Sequence, residues 1–92
     1  MQFDNADIAG LIAATLTTIS FLPQAIKTIK TKDTSGISFL MYLIFCIGVI
    51  FWAIFGLIIE KYIIVTANLI TFSFAFSILL IKIKNIISGA DK

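Results

Sequence analysis

Two stretches without a single charged residue, Ile37 to Ile59 and Tyr62 to Ile81, dominate this sequence. Each reaches the ~20 apolar residues that cross a bilayer as a helix, since about 1.5 Å of rise per residue then matches a hydrocarbon core of roughly 30 Å. The expected spans are residues 37–59 and, with a short continuation, 62–84.

A third span is expected over residues 6–29, where the uncharged part from Ile8 to Ile26 is interrupted by Thr15, Thr17, Thr18, Ser20 and Gln24. A cleaved signal peptide would open on a positive segment, whereas this chain opens "MQFDNAD", with Asp4 and Asp7 and no lysine. A soluble three-helix bundle would show a polar face on every helix, and the second and third runs have none. Membrane strands would alternate apolar and polar residues, which these runs do not do. Residues 1–92 therefore read as one all-α membrane domain of three transmembrane helices, in contact with the lipid bilayer.

Lys27, Lys30 and Lys32 occupy the first connection and Lys82, Lys84 and Lys92 follow the third run, while the second connection carries only Lys61. The positive-inside rule then puts the N-terminus outside and the C-terminus in the cytoplasm, with Lys27, Lys30 and Lys32 as an anchor at the anionic headgroups. A net charge of +2 on such a chain gives no reason to expect a nucleic-acid partner. There is no histidine, and the single Cys46 sits inside the second run, where packing is its natural role. No metal site, other cofactor or catalytic constellation can be assembled, so enzyme activity is not expected.

The short second connection makes the second and third helices an antiparallel hairpin. Counting from its turn puts Trp52 and Asn68 at one depth, near the midplane, where tryptophan is unusual because it prefers the interfaces. Met41, Phe45, Gly48, Trp52 and Phe55 share one stripe, and Gly48 leaves space beneath the indole. Leu11, Thr15, Thr18 and Leu22 make a stripe on helix one, and Ile64, Asn68, Phe72 and Ala75 one on helix three. Packing accounts for each residue singly: a membrane amide often bonds a neighbouring helix and a membrane threonine its own backbone. Together they also suit a cavity with an aromatic wall, an amide and hydroxyls, which is the chemistry of a sugar site.

Pro23 withholds a hydrogen bond from the carbonyl of Ile19 and is expected to kink helix one, with Gln24 able to bond a freed carbonyl; the kink is either static or a hinge. The spans hold no carboxylate, which argues for an uncoupled facilitator over a proton-coupled carrier. Three helices cannot enclose a sugar path alone, so a parallel homodimer is expected.

The stretch "FLPQAIKTIKTKDTSGIS" from Phe21, "MY" at Met41, "GVIFW" ending at Trp52 and "ANLIT" from Ala67 resemble the bacterial SemiSWEET sugar transporters of the PQ-loop superfamily. The resemblance covers nearly the whole chain. It implies helices in spatial order 1-3-2, two protomers around a central path, a multi-pass protein of the bacterial inner membrane, and alternating access. It also implies a substrate site of Trp52 and Asn68 from both copies, a Pro23–Gln24 hinge, and gate positions at Met41 and Phe45. At the outer gate Phe55 and Ile59 stand where family members can carry tyrosine and arginine, so aromatic packing, or pairing of Glu60 with Lys61 across the dimer, is expected to replace an ion pair there. A carrier of another small solute and a non-transporting membrane assembly protein are the other readings.

Overall fold

A computed structural model describes residues 4–89. They form three helices, α1 (Asn5–Thr31), α2 (Phe39–Ile58) and α3 (Tyr62–Ser88), each long and apolar enough to cross a membrane. There is no strand among the described residues.

Capping chemistry sets the boundaries. The Asp4 carboxylate accepts the Asp7 N–H at 2.8 Å and the Asp7 carboxylate accepts the Asp4 N–H at 3.1 Å, a reciprocal capping box that starts α1. Lys32 ends α1 in a left-handed conformation, φ 56°, with its N–H on the Thr28 carbonyl at 2.7 Å. Helix α2 begins at Phe39, not near 37, because the Ser38 hydroxyl accepts the Met41 N–H at 3.2 Å and so occupies the cap. The turn after α2 is a Schellman motif: Lys61 N–H reaches the Gly56 carbonyl at 2.9 Å and Glu60 N–H the Leu57 carbonyl at 3.2 Å. Glu60 takes the left-handed position, φ 58°, that glycine usually fills. Helix α3 runs past the expected 84 to Ser88, since nothing in "KIKNIIS" breaks a helix before Gly89 exits at φ 79°.

Helix α3 packs against both others and separates them, so the spatial order is 1-3-2. The result is a slab of 51 × 23 × 15 Å. Cys46, Val49, Ala53 and Gly56 are the buried residues of α2 and recur at helical spacing on one stripe. Cys46 meets Ala75 and Leu79 of α3 in a core bordered by Phe21, Tyr42, Leu43, Phe72 and Ile83. Small residues dominate these contacts because lipid is as apolar as a leucine side chain, leaving close backbone approach as the source of adhesion. Helix α1 buries only Asp7 and Ala25 among its described side chains and is the least enclosed of the three.

Most hydroxyls of the spans, and one amide N–H of Asn68, bond within their own helix. Thr15, Thr17 and Ser20 donate to the carbonyls of Leu11, Ala14 and Thr17, and Asn68, Thr71, Ser73 and Ser77 to those of Ile64, Ala67, Leu69 and Ser73. Such back-bonding keeps polar atoms paired at depths without water.

Gly56 lies in tight contact with the start of α3: a Cβ there would lie 3.0 Å from methyl groups of both Ile64 and Val65. Gly56→Val is expected to destabilise the hairpin by about 1–3 kcal/mol, the usual cost of overpacking. Gly48→Ala, where a Cβ meets nothing within 4 Å, should leave stability unchanged or slightly raised. Thermal melts of both variants in one detergent check the contrast.

Candidate functional site

The expected stripe of α2 lies on the part of the helix that the protomer leaves exposed. Met41, Phe45, Trp52 and Phe55 are 56%, 40%, 56% and 45% exposed, a quarter turn or so from the stripe that packs on α3. Trp52 and Phe55 meet edge to face with centroids 5.5 Å apart. Together with Gly48 and Phe51 they line a hollow of about 390 Å³, and the missing Gly48 side chain keeps it open.

Asn68 stands six residues into α3 from the turn and Trp52 six residues back along α2, so the two share a depth. Asn68 continues the Phe72, Ala75, Leu79 stripe and is half-buried, but it is not part of the wall of the Trp52 hollow. One amide N–H goes to the Ile64 carbonyl at 2.8 Å. The other N–H and the oxygen have no partner among the described residues, so the amide retains hydrogen-bonding capacity.

Thr18 is placed elsewhere. It lies in a groove of about 560 Å³ between α1 and α3, with Leu11, Thr15, Tyr62, Thr66 and Ile70 among its walls. Asn68 is two residues from both Thr66 and Ile70, which puts it on the opposite side of α3 from this groove. Within the protomer, then, Gly48, Trp52 and Phe55 come together, Asn68 joins them by depth, and Thr18 faces another space.

Nearer the α1–α2 loop, Phe45 meets Phe21 of α1 and Tyr42 of its own helix, both with centroids 6.2 Å away. Phe21 and Tyr42 are aromatic partners that the sequence reading left without a role, although Phe21 stands two residues before Pro23. Pro23 lies inside α1 and the helix continues through it. The Gln24 side chain is exposed and makes no hydrogen bond among the described residues, so the freed carbonyl is not bonded by it; it borders a polar cleft of about 270 Å³ with Lys27, Asp33, Ser35 and Tyr42.

Comparison with known proteins agrees with this architecture. The PQ loop repeat family matches residues 6–65. "Sugar transporter SemiSWEET" of Escherichia coli is 42% identical over 89% of this chain and 92% of its own length, and the protein of the same name from Leptospira biflexa is 40% identical over 84% and 91%. The chain belongs to the SemiSWEET family of PQ-loop proteins. A SemiSWEET crystal structure in the inward-open conformation superposes with a TM-score of 0.88 at 39% identity, covering 96% of this chain and 95% of that one.

In this SemiSWEET fold the hydrogen bonds that join different helices fall, among the described residues, at the two ends of the bundle. At the turn end, Lys61 pairs with Asp7 at 3.0 Å and with Asp4 at 3.4 Å. Lys61 is thus engaged within its own chain, a different partnership from the expected pairing with Glu60 across a dimer: α1 starts beside the turn and brings two carboxylates to it. At the loop end, Lys82 is enclosed by the protein. It is 4% exposed and donates to the Thr34 carbonyl at 2.9 Å, while Asn85 Nδ2 donates to the Lys32 carbonyl at 2.9 Å and to Thr34 Oγ1 at 2.8 Å. Lysine counting could not separate Lys82 from Lys84, which is exposed.

The Asp7 N–H, and then Lys61, hold the Asp4 carboxyl below its ordinary 3.8 against a partial desolvation. The bond to Asp7, and then Asp4, raise Lys61 above its ordinary 10.5, again against desolvation. A lowered carboxyl contributes stability that is present above 3.8 and lost as pH falls through its folded value; a raised lysine contributes below 10.5 and loses that contribution as pH rises through its own. Both contributions are therefore present between these limits. Melting temperature is expected to fall from pH 5 to pH 3 in the wild type and to fall less in Lys61→Met, which has already lost the tie. Equal acid sensitivity in the two proteins would assign the effect to other groups.

Proposed function

We propose that this SemiSWEET is a homodimeric facilitator that moves mono- or disaccharides, such as glucose or sucrose, across the bacterial inner membrane by alternating access. The observation that carries this reading is the open hollow under Trp52 at the depth of an Asn68 amide with unspent hydrogen-bonding capacity. An indole takes the C–H face of a sugar and an amide replaces the water its hydroxyls lose. Two parallel copies placed with these stripes facing would enclose one central site, with Trp52, Asn68 and Gly48 from each. The names of the relatives support the substrate class.

In this reading the N-terminus is outside and the α1–α2 loop is cytoplasmic, following the lysine bias. Pro23 and Gln24 form the hinge of α1. Met41 and Phe45, with Phe21 and Tyr42, form the inner gate, and Phe55 closes the outer side by packing where an ion pair is lacking. Thr18 belongs to the site only if the second copy covers the α1–α3 groove. The absence of a carboxylate from the middle of the spans favours a carrier without proton coupling. A helix-gluing role for Asn68 in a non-transporting protein is disfavoured, because its bond goes to its own helix.

Counterflow of labelled glucose and sucrose into liposomes without an ion gradient tests this. The wild type should take up at least one sugar. Trp52→Ala and Asn68→Ala should each reduce uptake about tenfold or more, the factor expected when a buried ligand loses one paired contact. Uptake that requires a proton gradient, or that persists in both variants, overturns the facilitator or the site respectively. Pro23→Ala should slow exchange while leaving sugar quenching of Trp52 fluorescence intact, since Trp52 is the only tryptophan.

A further inference from the structure

Helix α1 is tied at both ends and contains Pro23 between them. Its start is held to the turn by Lys61, and its far tip is held to α3 by Lys82 and Asn85. The acceptors at the tip are the backbone carbonyls of Lys32, the residue that caps α1, and of Thr34, two residues further on, together with the Thr34 hydroxyl. Thr34 is 1% exposed and Lys82 4%, so this contact is enclosed. A lysine this near a helix end in a membrane protein ordinarily extends to the headgroups, and burying its amine is costly unless it is fully bonded.

Pro23 divides α1 into the part beyond it, a short arm of about 13 Å from Pro23 to Lys32 at 1.5 Å per residue, and the longer part held by Lys61. A rotation of roughly 15° at the proline carries the tip of such an arm about 3 Å, which is more than a hydrogen bond of 2.9 Å can absorb. Turning of the arm against α3 therefore has to break the contact.

We infer that Lys82 and Asn85 are positioning residues of the inner gate: they latch the tip of α1 to α3, and the latch opens each time the arm turns about Pro23. The inference rests on the alternating-access reading for its place in the cycle. On the likeness of the protomer to an inward-open relative, we place the closed latch in that form. Weakening it then shifts the population away from the inward-open form, although neither side chain touches substrate.

The test measures the distance between spin labels at Lys30→Cys on the α1 tip and Ile87→Cys on α3, in a Cys46→Ala background and diluted with unlabelled protein so that each assembly carries one labelled chain. The wild type in lipid should give two populations, latched and unlatched. Lys82→Met and Asn85→Asp should each raise the unlatched fraction relative to the latched by about fivefold, the factor carried by one net hydrogen bond. Lys82→Arg, which can still donate to the Thr34 carbonyl, should restore the wild-type ratio, and Lys84→Met should leave it unchanged. A single narrow distance in the wild type, with mere broadening in the variants, would make the contact structural glue and overturn the latch. If Lys82→Met does not fold, Asn85→Asp decides alone, since it keeps size but replaces the donor amide with a carboxylate that the Lys32 carbonyl repels. A latch-dependent shift in a protein that moves no sugar would sink the transport reading and leave the latch standing; sugar counterflow without any shift would do the reverse.

Discussion

The absence of water across the span is the constraint on which the rest of this structure depends. A hydroxyl or amide at that depth must find a partner, and here those with a partner use their own helix: Thr15 on Leu11, Asn68 on Ile64, Ser77 on Ser73. Polar atoms satisfied in this way contribute nothing to holding one helix against another. Adhesion is left to close packing of small residues such as Gly56, Ala53 and Ala75, and directional ties are left to the ends. A bundle joined by packing in its middle and by hydrogen bonds at its ends can rock without breaking bonds in the region where a solute would sit.

The two faces of α2 illustrate how one helix serves both fold and site. Cys46, Val49, Ala53 and Gly56 turn to α3 and are buried; Gly48, Trp52 and Phe55 turn away and surround a void. Exposure of that second face is not in itself a reason for a partner, because apolar surface in lipid is already well solvated. The void and the half-buried amide at the same depth are the reason. A slab 15 Å thick cannot close over a polar ligand on that side, and a second copy in the same orientation would supply the missing wall.

What was legible in the sequence follows from the same division. Span number, the hairpin, the shared depth of Trp52 and Asn68 and the stripe on α2 each depend on one segment and the bilayer, and all could be read by length and period. The position of Thr18 could not. Its face of α1 was evident, but which neighbour lies beside that face depends on α3 standing between α1 and α2. Lys61 reads as a partner for Glu60 until α1 is known to begin beside it, and Lys82 reads as one more of the basic residues after the third run until Thr34 is folded against it.

These unread contacts have a common origin. Each joins residues far apart in the chain through the one neighbour relation, α1 against α3, that no local pattern encodes. Helix α1 is also the helix with the fewest buried side chains and the one that contains the proline. A helix so lightly packed needs its ends fixed if a bend is to be concentrated at one residue, since otherwise the whole rod would tilt. The ties at Lys61 and at Lys82 with Asn85 meet that need, and their placement at opposite ends would confine a bend to Pro23.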